Sequence, residues 1–180
     1  MIIKNKKDLL DNYKEGLSKD DYVLFWDERD NNTGFLSNWH LSKFKLNDFT
    51  YFCMAQYMME RKANLAGNQD LCDLIKKTLS QKGLEELDKD LIKCSKNIKE
   101  RSMYSIMVEG NKAKFKQNHN LKKLLLATDN KILISTNPYN KIWGIGVHQS
   151  NTDITNPKNW KGDNLTGFAI MEVRKSLGGK

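Results

Sequence analysis

The stretch from Cys53 to Ala66 constrains this chain more than any other. It carries Met54, Tyr57, Met58, Ala63 and Leu65 with no glycine or proline, and it stops at Gly67. Glycine accepts the left-handed conformation that closes a helix, so the spacing predicts a helix here. Elements of both kinds flank it. The apolar run Tyr22-Val23-Leu24-Phe25-Trp26 is rich in strand formers and precedes a polar loop from Asp27 to Gly34. From Lys43 to Phe52 the pattern alternates around Asn47-Asp48, which predicts a hairpin.

Further helices are expected over Gln69 to Thr78, Gly83 to Leu91, Asn97 to Gln117 and Leu121 to Thr128. Leu9, Leu10, Tyr13 and Leu17 fall at helical spacing and predict an amphipathic opening helix over residues 4–17. Lys131 to Ser135 and Lys141 to Val147 read as two late strands joined through Asn137-Pro138-Tyr139-Asn140. A last helix is expected from Asn164 to Leu177, capped by Asp163 or Asn164 and terminated by Gly178-Gly179. Helices outnumber strands and no repeat or linker divides the chain. The expected class is therefore α+β, mainly helical around a small β-sheet, with an accessory helix in residues 1–20 and one domain over 21–180.

Composition excludes several classes. The chain is 39% hydrophobic with no apolar run near the roughly 18 residues that span a bilayer. The lysines near Met1 precede no apolar stretch of the signal-peptide kind, so the expectation is a cytoplasmic protein with no membrane partner. Cys53, Cys72 and Cys94 are odd in number and too widely spaced for a disulfide framework or a close-pair zinc site. His40, His119 and His148 are scattered singly, so neither metal nor cofactor is expected, and no Walker loop, GxGxxG or nucleophile elbow is present. The net charge of +8 suits an anionic partner such as nucleic acid or a pyrophosphate. Lysine supplies most of that charge, and lysine lacks the bidentate fork that arginine offers to phosphate.

Three clusters can carry chemistry. Ile142-Trp143-Gly144-Ile145-Gly146-Val147, after Tyr139-Asn140, offers an indole beside glycines, which suits either a ligand wall or a closely packed core strand. On the central helix, Ala55, Met59 and Lys62 share a face at i, i+4 and i+7, with Gln56 and Glu60 on the neighbouring one. A lysine there can reach a phosphate or sugar, although a solvated surface lysine is the commoner case. Phe35-Leu36-Ser37-Asn38-Trp39, with Phe25 and Trp26 before it, offers aromatics that either stack a base or fill the core.

Taken in order, these clusters resemble the NADAR (YbiA-like) family. The resemblance rests on Phe35 to Trp39, Phe52 to Ala63, the Glu109-Gly110-Asn111-Lys112-Ala113-Lys114-Phe115 run, Leu124 to Thr128 with Pro138 to Gly146, and Asn164 to Arg174. It covers residues 22–177. Such a resemblance implies N-glycoside hydrolysis: removal of ADP-ribose from guanine bases in DNA, or cleavage of early riboflavin-pathway intermediates. It also implies ADP-ribose or ADP-ribosylated DNA as partner, with free nucleotide-like metabolites and a toxin partner as further candidates. Leaving through an oxocarbenium-like state, a C1′–N bond asks for a carboxylate at the sugar, an aromatic platform for the base and cations for phosphates. Carried over to this chain, the family pattern marks positions 55 and 140 and Lys62 as catalytic. It marks Trp26, Ser37, Asn38, Trp39, Gln56, Tyr57, Tyr139, Trp143, Gly144 and Asn164 as substrate-binding.

The chain departs from that pattern where the chemistry is concentrated. Ala55 stands where family members have glutamate, and Asn140 where they have aspartate. Alanine cannot transfer a proton. The departure implies a chain altered to trap its substrate, a catalytically silent module that binds ADP-ribose or NAD, or an enzyme that uses another group, with the Lys62 amine the first candidate.

Overall fold

The computed structural model describes residues 3–13 and 17–179. In chain order its elements are α1 (Lys6–Asn12), β1 (Tyr22–Phe25), β2 (Phe44–Leu46), β3 (Phe49–Tyr51), α2 (Met54–Leu65), α3 (Gln69–Lys77), α4 (Gln81–Cys94), α5 (Tyr104–Gln117), α6 (His119–Ala127), β4 (Ile132–Ser135) and α7 (Leu165–Ser176). This is an α+β fold, mainly helical with little sheet, as the sequence predicts. The chain forms two compact units: one runs up to Ser37 and resumes at His119, and the other comprises Asn38–Asn118.

In the first unit β1 and β4 pair in parallel, with Tyr22 opposite Ile132 and Phe25 opposite Ser135. Every residue of β4 is buried, which fits a strand covered on its faces. Helix α7 packs on β4, and its Phe168, Ala169, Ile170 and Val173 are all buried. Gly167 permits the approach, since a Cβ there would lie 2.0 Å from the Leu133 carbonyl oxygen. Asn164 holds the same edge from a left-handed backbone (φ 58). Its amide accepts from Ser135 N–H (2.8 Å) and donates to Leu133 C=O (2.8 Å), so it completes the ladder that β4 lacks on that side.

Within the second unit β2 and β3 form the expected hairpin, and Asn47 and Asp48 both take positive φ (50° and 61°) at its turn. Two positive φ values mark the turn whose twist matches the strands, and Asn and Asp tolerate it. The apolar core gathers Phe52, Cys53, Ala55, Ala63, Leu71, Cys72, Ile75, Leu84 and Leu91 from α2, α3, α4 and the chain leading into α2. Gln56 ties two of these helices. Its Oε1 accepts from Phe52 N–H (3.0 Å), while its Nε2 donates to the Ile75 and Thr78 carbonyls (3.0 Å each) at the end of α3. A helix end leaves carbonyls unpaired, and one buried amide satisfies them here.

Several expectations change. Residues 141–147 are not a strand. Asn140 Oδ1 takes the Ile142 and Trp143 N–H groups, and the Ile142 and Trp143 carbonyls accept from Leu165 and Thr166 N–H. That segment caps α7 instead of pairing with a neighbour; Asn164 is the N-cap residue, one of the two expected, but its side chain bonds to β4 and not to the helix. The helix expected from Asn97 begins at Tyr104, after a 3-10 turn over Glu100–Met103. Helix α4 runs on to Cys94, where Ser95 closes it through N–H and Oγ bonds to Leu91 C=O. The opening helix is shorter than 4–17: α1 ends at Asn12, residues 14–16 lie outside the described residues, and Leu17 N–H pairs with Thr155 C=O (2.7 Å).

Candidate functional site

The sequence-marked residues divide between the units. Asn38, Trp39, Ala55, Gln56, Tyr57 and Lys62 belong to the second, and Trp26, Ser37, Tyr139, Asn140, Trp143, Gly144 and Asn164 to the first.

In the second unit Ala55 sits in the first turn of α2, 8% exposed, and its N–H donates to Asn38 C=O (2.8 Å). The 38–42 segment therefore runs beside the start of α2, and Ser42 N–H donating to Phe52 C=O (2.9 Å) fixes it further along. Trp39 and Met59 pack against the core that contains Ala55. A first-turn position favours a carboxylate through the helix dipole, whereas apolar neighbours oppose its charge.

Lys62 lies two turns on, on the same face as Ala55, and its ammonium pairs with Glu100. The two side chains are 18% and 27% exposed, so the pair is largely sheltered. Its nitrogen is thus engaged by a carboxylate of its own unit, and attack on an aldehyde would have to displace that contact. Tyr57 is buried: its hydroxyl donates to Glu109 Oε2 (2.8 Å) and its ring meets Tyr51 edge-on at 5.1 Å. Burial pushes the Tyr57 hydroxyl above its ordinary range, with the Glu109 contact adding to the shift. Gln56 and Tyr57, both marked as substrate-binding by resemblance, thus have packing tasks inside the unit.

Lys114, on α5, is fully buried, and burial pushes its ammonium down to about 7. His40 lies close enough that burial first and the Lys114 charge second lower its pKa. Burial raises the Cys53 thiol at the N-cap of α2, opposed by backbone hydrogen bonds and by Lys114. Asn38 Oδ1, His40 Nδ1 and Asn111 Oδ1 are shielded from solvent and have no hydrogen-bond partner among the described residues. A polar cluster thus adjoins the start of α2. For Lys114 the folded pKa is depressed, so between about 7 and the ordinary lysine value the unfolded chain binds more protons and stability rises with pH. The free energy of unfolding should increase by about 1.5 kcal/mol from about pH 7 to about pH 8.5, and Lys114→Met should flatten that rise in urea titrations. An unchanged slope in the variant would assign the pH dependence to other groups.

In the first unit Trp26 and Tyr139 follow the carboxyl ends of β1 and β4 and come together, with ring centroids 6.2 Å apart. Asp27 and Arg29 beside them form an exposed bidentate pair (2.9 and 2.8 Å), and the Arg29 hydrogen bond holds the Asp27 carboxyl at about 2. Asn140 and Trp143 are joined through the turn described above. Gly144 C=O accepts from Asn164 N–H (3.1 Å), and a Cβ at Gly144 would stand 3.0 Å from Asn140 C=O. Ser37 is buried, its N–H donating to Gly34 C=O (2.9 Å). Both amide atoms of Asn164 are bound to β4, which makes it a structural residue here.

Aspartate at position 140 offers the same acceptor oxygen as asparagine. Asn140→Asp should therefore keep stability within about 0.5 kcal/mol, whereas Asn140→Ala, which loses both N–H acceptances, should cost about 1–2 kcal/mol. Urea denaturation of the three proteins checks this; equal stability of the alanine variant would show that the turn does not depend on the side chain.

Sequence reasoning passed over Glu100, Lys114 and His148. Lys114 had a signal: Met107, Gly110, Asn111 and Lys114 fall at i, i+3, i+4 and i+7, the spacing of one helix face, and all four are buried. Glu100 had none, because its partner lies 38 positions earlier. Among the described residues no group of three His, Cys, Asp or Glu side chains is arranged to hold a metal ion, and no helix is long and apolar enough to cross a membrane.

Comparison with known proteins adds to the geometry. A model of the NADAR domain matches residues 24–178. N-glycosidase R617 of Acanthamoeba polyphaga mimivirus is 34% identical over 88% of this chain and 98% of its own length. Protein irg-1 of Caenorhabditis elegans is 32% identical over 75% of this chain and 64% of its own. The solved structure of the E. coli protein YbiA superposes with a TM-score of 0.65 at 22% identity, over 91% of this chain and 88% of that one, which shows the shared fold.

Proposed function

The chain belongs to the NADAR family, and we propose from that premise that its fold serves N-glycoside hydrolysis, with ADP-ribose on guanine in DNA as the substrate and with Ala55 silencing the step. Support for the reaction class comes from the mimivirus relative, named an N-glycosidase and matched over 98% of its length. The observation that carries the silencing is the setting of Ala55: the first turn of α2, its N–H fixed by Asn38, beside a cluster of shielded polar groups. A glutamate there would stand at a helix N-terminus with the position of its backbone already set. The net charge of +8 favours a DNA-linked substrate over a small metabolite, because phosphates flanking the modified base add to binding.

In this reading the C1′–N bond breaks as water oxygen bonds to C1′. One water proton passes to the carboxylate, and the departing base takes up a proton. The test is to incubate Ala55→Glu with guanine-ADP-ribosylated DNA and, separately, with a phosphoribosylated aminopyrimidine, and to follow release by mass spectrometry. Faster release from DNA supports the proposal, faster release from the aminopyrimidine assigns the riboflavin-type substrate, and no release from either overturns hydrolysis. A second reading follows from Ala55 itself. As it stands the chain is a silent binder of ADP-ribose, and tight calorimetric binding without turnover in the Glu variant would favour that role.

A further inference from the structure

The family model begins at residue 24, so α1 and Leu17 lie outside the matched residues. A helix of seven residues is marginal in water by itself, and α1 keeps its place through a stretch far along the chain. It packs on the 3-10 turn Pro157–Asn159. Lys6 Nζ donates to Trp160 C=O (2.6 Å) from a half-buried position, and Leu9, three residues on, is fully buried. Beyond the helix, Leu17 N–H donates to Thr155 C=O (2.7 Å). The Trp160 indole turns back on the same stretch, its Nε1–H donating to Ile154 C=O (2.7 Å). Residues 154–160 are thus gripped near both ends, by Leu17 at one and by Lys6 at the other.

The residues that follow bear on the marked site. Residues 161–163 run directly against 141–145. A Cβ at Gly162 would lie 2.3 Å from the Gly144 carbonyl oxygen and 2.7 Å from that of Lys141, and Asp163 N–H donates to Lys141 C=O (2.9 Å). The next three amides, of Asn164, Leu165 and Thr166, donate to the carbonyls of Gly144, Ile142 and Trp143 (3.1, 3.1 and 3.0 Å). Backbone packed on backbone leaves no flexible side chain to absorb a shift. A displacement of Trp160 is therefore passed to the turn that carries Trp143.

We infer that Lys6, Leu9 and Leu17 form a strap, supplied from outside the matched residues, that positions the Trp143 turn through residues 154–163. Lys6 and Leu9 are positioning residues: they act on the turn through Trp160 and set where the Trp143 indole stands. A supporting shell of this kind decides how firmly a site is held without touching what the site holds. The consequence for a ligand rests on the glycosidase reading, in which Trp143 meets the substrate.

Hydrogen–deuterium exchange of the full chain tests the strap. Lys6→Met keeps the apolar stem and removes the donor. Peptides covering 141–146 and 160–166 should exchange at least about 5-fold faster in that variant, with α2 and α3 unchanged, because local opening draws on local contacts. Leu9→Ala should act more strongly on the same peptides, and Lys6→Arg, which keeps a donor, should restore part of the protection. In calorimetry with ADP-ribose, Lys6→Met should weaken binding by about 5–10-fold at an unchanged melting temperature, since a small misplacement of a contact group is enough. Unaltered exchange at 141–146 and 160–166 in both Lys6→Met and Leu9→Ala overturns the strap, as does exchange in Lys6→Met that rises equally in α2 and α3. Parent-level ADP-ribose affinity in Lys6→Met overturns it too, because the indole would then be in place without the strap. A parent chain that does not bind ADP-ribose counts against the glycosidase reading alone, and exchange then decides the strap.

Discussion

Replacing Gly167 by alanine is expected to destabilise the chain by more than about 3 kcal/mol, at or above the upper end of ordinary overpacking. On an exposed helix face the same change would add about 1 kcal/mol of stability, because alanine is the better helix former. Contact with β4 reverses the sign. A Cβ at position 167 would fall 2.0 Å from Leu133 C=O, and the Asn164 amide stands 2.6–2.7 Å away. Neither neighbour can yield cheaply: Leu133 C=O belongs to a buried strand, and the Asn164 amide is bound at both ends to that strand. The helix must lift from the sheet, which loosens Phe168, Ile170 and Val173 together. Urea denaturation followed by far-ultraviolet circular dichroism measures the loss. A variant as stable as the parent would mean that α7 does not approach β4 this closely.

That contact also marks where sequence reading stops. The fold class, the hairpin at Asn47-Asp48, the helix ending at Gly67 and the closing helix were legible because each rests on local chemistry, such as a positive-φ turn or an unbroken apolar face. Residues 141–147 were not. Their apolar content reads as a strand, yet their N–H groups turn on Asn140 and their carbonyls cap α7, the second a partnership set by residues over twenty positions away. The start of α5 was misjudged for a related reason, since only the run of α4 to Cys94 moves the turn onto the residues that follow.

Site residues divide the same way. The resemblance marked Gln56, Tyr57 and Asn164 because the family pattern carries them, and a motif does not say whether a polar side chain faces a ligand or a backbone. Here Gln56 closes α3, Tyr57 bonds to Glu109 and Asn164 completes β4. Lys62 read as a candidate nucleophile because its face of α2 was clear, whereas the Glu100 that neutralises it was out of sequence reach. Conversely, His148 looked like a lone histidine until Trp26 was seen against it.

The alanine that stands at position 55 gives the second large effect. Ala55→Glu is expected to raise N-glycoside cleavage at least about 10³-fold over the parent chain, within the range that a positioned acid–base group supplies. Two opposed influences act on the new carboxylate. The first turn of α2 stabilises its charge, while Cys53, Ala63 and the Trp39 and Met59 side chains around that core disfavour it. Such opposition suits a group that must both accept and return a proton. Ala55→Gln separates this chemistry from packing, because glutamine fills the same volume and hydrogen-bonds but carries no exchangeable carboxyl proton. Turnover in the Glu variant with background rates in the Gln variant, both showing the parent's cooperative melting, would assign the step to the carboxylate. Equal rates in the two would show that position 55 contributes shape alone and that the carboxylate acting on C1′ must be sought elsewhere, with Glu100 beside Lys62 the next group to replace.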